Sequence, residues 1–176
     1  MGSIPARRTI FPSKSCHSGN TMDKNELMRR AIQLSSESLE RGGGPFGAVI
    51  ARNGEIVAEG SNGVTLACDP TAHAEVTAIR IAARKLGTFD LSGCEIFTSC
   101  EPCPMCLGAI YWARLDRIHF ANDRKDAAAI GFDDDFIYRE FALRPEDRSK
   151  PSERMLRNEA LPVFEKWRNL ESRNEY

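Results

Sequence analysis

Asp69-Pro70-Thr71-Ala72-His73-Ala74-Glu75 and, 27 residues after Glu75, Pro102-Cys103-Pro104-Met105-Cys106 decide how this chain is read. They supply one imidazole and two thiols at zinc-ligand spacing. Three protein ligands leave the fourth tetrahedral position to water, which separates a reactive zinc from a closed structural one. Glu75, two residues after the histidine, is a general acid/base candidate beside that water. Each motif is weak alone, because His-x-Glu recurs by chance and Cys-x-x-Cys also marks structural zinc or a redox pair. Together, each at an expected helix start preceded by an expected strand, they specify an open zinc site.

The spacing also constrains the fold. Cys103 and Cys106, three apart, share one helix face. Pro102 places them in a first turn, where unpaired N–H groups and the helix dipole favour thiolates. His73 and Glu75 are harder to reconcile, since residues i and i+2 lie about 200° apart around a helix. Both reach one pocket only at a helix entrance, which Pro70-Thr71 would provide. The expected site is therefore the junction of two helix N-termini, each following a strand end, where open sheets commonly hold ligands.

Outward from the motifs, Asp23 and Glu26 form a capping pattern ahead of Leu27, Ala31, Leu34 and Leu39 at helical spacing, and Gly42-Gly43-Gly44 ends that helix. Pro45 to Ile50 and Glu55 to Ala58 read as strands joined by Asn53-Gly54, a type I′ hairpin signal. Asn62 to Asp69 reads as a loop, and Pro70 to Leu86 as a helix stopped by Gly87. Cys94 to Thr98 is a strand, Pro102 to about Arg114 a helix, Arg117 to Ala121 a strand and Asp126 to Ile130 a short helix. Beyond Gly131 the pattern weakens until an amphipathic helix near Leu161 to Leu170. The expected fold class is α/β, a mixed sheet covered by helices on both faces.

The chain has 176 residues, about one domain, with 24 basic and 25 acidic side chains. That near balance, and an alternating Glu165 to Tyr176 stretch without a basic arm, argue against a nucleic-acid partner. No apolar run approaches the roughly 20 residues that span a bilayer. Residues 1–21 hold Arg7, Arg8, Lys14, four serines and no acid. They read as a disordered extension upstream of a domain over 22–176; an early start codon before Met22 or an organelle-targeting segment would also fit. Six cysteines without an apolar signal segment suit a reduced, cytoplasmic setting. Cys100 extends the run to Cys-x-x-Cys-x-x-Cys, but Ile110 stands where an iron–sulfur pattern needs its next cysteine. Cys100, Cys68 and Cys94 are expected to be small buried residues, and Cys16 and His119 incidental.

Several longer segments resemble the bacterial guanine deaminases of the cytidine deaminase superfold. These are Gly44 to Ile50, Asp69 to Arg80, Thr98 to Arg114, Gly131 to Tyr138, Trp167-Arg168-Asn169 and Glu175-Tyr176, so the likeness spans roughly residues 24–176. It implies a three-layer α/β/α fold with a mixed sheet of about five strands, one zinc per subunit on His73, Cys103 and Cys106, and Glu75 as proton shuttle. It further implies Asn62 on the purine, Phe46 and Trp112 in the pocket wall, Asp134 facing the edge that carries the leaving amine, and Tyr176 closing the site. The family is dimeric with an exchanged C-terminal segment, so 150–176 is a lid that a partner could supply. The implied reaction is hydrolysis of guanine to xanthine and ammonia.

The residues alone leave alternatives open. Asn62 before Gly63 is equally a turn former, Asp133-Asp134-Asp135 reads equally as a solvated loop, and Phe46 and Trp112 as core or interface aromatics. The zinc motifs also suit tRNA adenosine deaminases and deaminases of guanosine or cytosine. A non-enzymatic zinc module would instead require a fourth protein ligand, Cys100, and no Glu75.

Overall fold

A computed structural model describes residues 21–132 and 134–175; Tyr176, Asp133 and nearly all of the expected N-terminal extension lie outside the described residues. Helix α1 (Lys24–Glu40) starts at the anticipated capping box. The Asp23 carboxylate accepts from the Glu26 amide at 2.8 Å, and the Glu26 carboxylate accepts from the Asp23 amide at 2.7 Å. Leu27, Ala31 and Leu34 are buried as expected, but the stripe continues through Ser38 rather than Leu39. The reason is angular. Residues 27, 31, 34 and 38 keep to one helix face, and Leu39 lies about 100° further round.

Strands β1 (Gly47–Arg52) and β2 (Glu55–Ser61) form the antiparallel hairpin. Asn53 and Gly54 take φ of 52° and 80°, both positive as a type I′ turn requires. A short helix α2 (Val64–Ala67) replaces part of the expected loop. Cys68 ends it in the left-handed region (φ 50°) and is therefore exposed, not buried. Then come α3 (Ala74–Leu86), stopped by Gly87 at φ 67°, β3 (Glu95–Cys100), α4 (Pro104–Trp112) and β4 (Arg117–Asn122). Helices α5 (Arg124–Ala129) and α6 (Asp135–Ala142), a 3-10 turn over Pro145–Asp147 and α7 (Arg157–Arg168) follow. Helix α6 falls where the sequence pattern is weakest, and α7 begins four residues before Leu161, with Pro162 inside it.

The sheet order is β2-β1-β3-β4, antiparallel except for the β3–β4 pair, giving four strands among the described residues. Successive residues of β1 point to opposite faces. Val49 and Ala51 join Phe97 against Leu27, Ala31 and Leu34 of α1. Ala48 and Ile50 join Ala74, Ala78 and Ala82 of α3 and Ile110 of α4. Helices thus cover both faces of the sheet. The alanines of α3 permit a very close seat on Gly60 of β2, where a Cβ would overlap the Ala74 carbonyl and lie 2.7 Å from the Ala78 amide nitrogen.

His119 serves the β3–β4 pair: its ring stacks on Phe97 at 4.5 Å, and its Nε2 lies 2.7 Å from a Glu95 carboxylate oxygen. Among the described residues no helix is long and apolar enough to cross a membrane.

Candidate active site

Both motif helices start later than Pro70 and Pro102, and this resolves the i, i+2 difficulty. His73 (φ −70°, ψ 157°) and Cys103 (φ −65°, ψ 167°) are the N-cap residues of α3 and α4, with extended backbones. The delay before α3 has a local cause. The Asp69 carboxylate accepts from the Thr71 amide at 2.8 Å and its hydroxyl at 2.7 Å, a side-chain turn that competes with helix formation. His73 thus stands outside the helix and Glu75 in its first turn, so the two need not share a helical face.

The donor atoms are already at metal-binding separations. His73 Nδ1 lies 3.6 Å from Cys103 Sγ and 3.5 Å from Cys106 Sγ, and all three donors fall within 4.8 Å of one another. Tetrahedral zinc, with Zn–S about 2.3 Å and Zn–N about 2.0–2.1 Å, places neighbouring nitrogen and sulfur about 3.6 Å apart. The set fits zinc. The Cys103 thiol, accepting from Cys106, is held below its ordinary range, while that of Cys106 is pushed above it. The Cys103 contact also holds His73 above its ordinary 6.5.

Glu75 is 7% exposed, and burial pushes its carboxyl above the usual carboxylate range. It lines, with His73 and Cys103, a cavity of about 760 Å³. Asn62, Phe46 and Asp134 line the same cavity. The buried Asn62 carbonyl oxygen accepts from the Val64 amide at 3.2 Å and the Gly44 amide at 3.4 Å. The turn role left open by the sequence is therefore real, and it leaves the NH₂ as the group Asn62 can offer a ligand. Asp134 Oδ1 is buried without a hydrogen-bond partner among the described residues, and desolvation raises its pKa. Such an orphaned acceptor is unfavourable unless something completes it.

Residues 21–122 match the cytidine and deoxycytidylate deaminase zinc-binding region. The chain belongs to that family. It is 51% identical to the guanine deaminase of Bacillus subtilis over 156 residues, 88% of this chain and all of that one. The X-ray structure of that protein superposes with a TM-score of 0.85, covering 88% of this chain and 99% of that one. A guanine deaminase structure from Nitrosomonas europaea, 34% identical, gives a TM-score of 0.63 over 72% of this chain and 69% of that one. The tRNA-specific adenosine deaminase of Aquifex aeolicus is 38% identical over 110 residues, 62% of this chain and 73% of that one.

Of the two aromatics expected in the wall of the deaminase cavity, Phe46 lines it and Trp112 does not. Trp112 is 68% exposed. It stands nine residues beyond Cys103, about 13 Å along α4 at 1.5 Å per residue. Phe132 lines the wall beside Phe46, against which it packs edge-on at 4.9 Å. Leu39, which the helical spacing assigned to the buried stripe of α1, lines the cavity instead, as does Ile137, which no sequence periodicity marks. Cys100 is buried at the end of β3, donates to the Asp123 carbonyl at 3.6 Å and has its pKa pushed up to about 11 by burial. A thiol held neutral in this way suits a packing role.

Proposed function

We propose that this deaminase hydrolyses guanine to xanthine and ammonia. One observation carries the reading. The likeness to Bacillus subtilis guanine deaminase spans 156 residues, so it runs beyond the zinc region at 21–122 into the segment bearing Phe132 and Asp134, which close the cavity. Helices on both faces of a mixed sheet support the three-layer α/β/α architecture of this family, with four strands among the described residues where the resemblance implied about five. We place the catalytic domain over 22–176, with 1–21 as an extension.

Zinc held by His73, Cys103 and Cys106 would supply a water acidic enough to give hydroxide near neutral pH. Glu75 would take one proton from the attacking water and give it to the ring nitrogen as the water oxygen bonds to the amine-bearing carbon. It would then take the remaining hydroxyl proton and give it to the amine, with help from Asp134, as the C–N bond breaks and the C=O bond forms. Its burial, which favours the protonated carboxyl, suits it to hold that proton between the two transfers. The Asn62 NH₂ donates to a purine acceptor. Asp134 accepts from the ring N–H and amine of guanine, donors that adenine and hypoxanthine do not present together. Phe46 packs against the base. Residues 150–176, with Tyr176, form a lid exchanged within a cytoplasmic homodimer carrying one zinc per subunit; the exposure of Val163, Phe164 and Trp167 on α7 supports a covering partner.

The 38% identity to a tRNA-specific adenosine deaminase favours one second reading, over a shorter part of the chain. An ammonia-release screen over guanine, guanosine, adenine, cytosine and a tRNA anticodon stem, with and without chelator, separates them. Chelator-sensitive release from guanine is expected. Salt-sensitive inosine formation in the stem would overturn the guanine reading, and silence on every substrate would favour a zinc-binding module.

A further inference from the structure

The geometry points to Tyr138 and Arg124 as positioning residues that hold the Asp134 carboxylate over the cavity by tying α6 to the loop before Cys103. The inference rests on reading Asp134 as the carboxylate that meets the substrate.

Helix α6 needs such an anchor. None of its residues is buried, and its N-cap, Asp134, makes no side-chain capping bond. No capping bond to the first turn of α6 fixes the Asp134 side chain, and its place over the cavity depends on where α6 is held. Tyr138 lies four residues after Asp134, one turn along the same side of the helix. Its hydroxyl donates to the Pro102 carbonyl at 3.1 Å, the residue immediately before the ligand Cys103. One bond thus joins the segment carrying the carboxylate to the segment carrying the metal ligand.

Arg124, the first residue of α5, holds the tyrosine from the other side. Its guanidinium lies 5.0 Å over the Tyr138 ring. The same group is 4.0 Å from Asp135 Oδ1 and 3.9 Å from Glu101 Oε2, and the Arg124 amide donates to that Glu101 oxygen at 3.2 Å. The Glu101–Pro102 loop, the start of α5 and the first turn of α6 converge on these two side chains. A guanidinium suits the task because its planar fork can serve two carboxylates while stacking on an aromatic face.

The test uses zinc-loaded full-length protein and Tyr138→Phe, which keeps the ring under Arg124 and removes only the hydroxyl. Amide exchange over residues 134–142 should quicken about tenfold while the sheet is unchanged, and kcat/KM on guanine should fall about tenfold, in line with one lost hydrogen bond. Zinc affinity by chelator competition should stay within about twofold. In an Asp134→Asn background the same change should cost nothing more, because neighbours acting through one group are non-additive. Arg124→Met should repeat the pattern. Unchanged exchange at α6, losses that multiply with Asp134→Asn, or zinc loss in step with activity would each overturn the assignment. If the wild type releases no ammonia from guanine, the guanine reading fails instead. The cycle is then read on whichever base the wild type deaminates, and the exchange result stands either way.

Discussion

Gly60→Ala tests whether the seat of α3 on β2 sets the geometry of the site. The new Cβ would overlap the Ala74 carbonyl oxygen and sit 2.7 Å from the Ala78 nitrogen, against ordinary contacts of 3.4–4 Å. Both are backbone atoms, so no side chain can swing aside. The first turn of α3 must retreat by about 1 Å. Overpacking of this kind costs about 1–3 kcal/mol of stability. The functional cost should be larger, because Ala74 lies between His73 and Glu75. A misplacement of about 1 Å can lower turnover about 100-fold, and disturbing the support of a metal ligand lowers affinity about 10- to 100-fold. Denaturant unfolding, chelator competition and ammonia release on one protein preparation measure the three effects. Gly108→Ala on α4, where a Cβ meets nothing within 4 Å, is the control; it should match or exceed wild-type stability by about 0.5–1 kcal/mol. A folded Gly60→Ala protein with wild-type zinc affinity and turnover would refute the reasoning. Lost stability with intact turnover would mean that α3 yields away from its entrance.

Three further outcomes follow from the same geometry. Glu75→Gln should retain zinc and abolish ammonia release, since the amide fits the buried pocket but cannot take up and release a proton; near-normal turnover would remove Glu75 from the proton path. Asn62→Asp keeps the oxygen that Gly44 and Val64 use and loses the NH₂, so stability should hold within about 1 kcal/mol while KM rises at least about tenfold; equal falls in both would make Asn62 a turn residue alone. The Arg30 hydrogen bond depresses Glu59 below its ordinary 4.5, so this pair adds stability above that value and loses it as pH falls through the lower folded pKa. The stability gap between wild type and Arg30→Met, from melts between pH 6 and 3, should therefore narrow at the acid end; a gap independent of pH would show that the pair contributes nothing through titration.

What the sequence makes legible here is what neighbouring residues decide among themselves. The Asp23–Glu26 box, the Asn53-Gly54 turn and the Gly87 stop each depend on a few adjacent positions, and each stands as read. Helix α3 starts four residues after Pro70 and α4 two after Pro102; at α3 the cause is Asp69, which binds Thr71 and holds the chain out of the helix until His73. The turn role of Asn62 beside Gly63 is legible, but its bond from Gly44 is not, because that donor is 18 residues away. Trp112 does not line the cavity of the single chain, because the likeness supplies a role without the distance along α4. Helix α6 lacks a buried stripe, so hydrophobic periodicity had nothing to detect.

The two motif helices also show how a reactive site displaces local stabilisation. Asp23 and Asp123 cap α1 and α5 with complete reciprocal boxes. The same positions on α3 and α4 hold His73 and Cys103, neither of which makes a side-chain capping bond. A good cap contributes about 1 kcal/mol, so each entrance gives up roughly that much by directing its side chain at the metal instead of its own helix. The compensation lies in the tertiary fold: Ala74, Ala78 and Ala82 seat α3 against the sheet, and Ile110 does so for α4. The entrances can therefore be uncapped without the helices fraying, and the N-terminal dipoles that a cap would have used are left to favour a thiolate at Cys103. The spacing His-x-Glu is chemically useful only in this setting, because a mid-helix histidine would face away from the glutamate that must share its water.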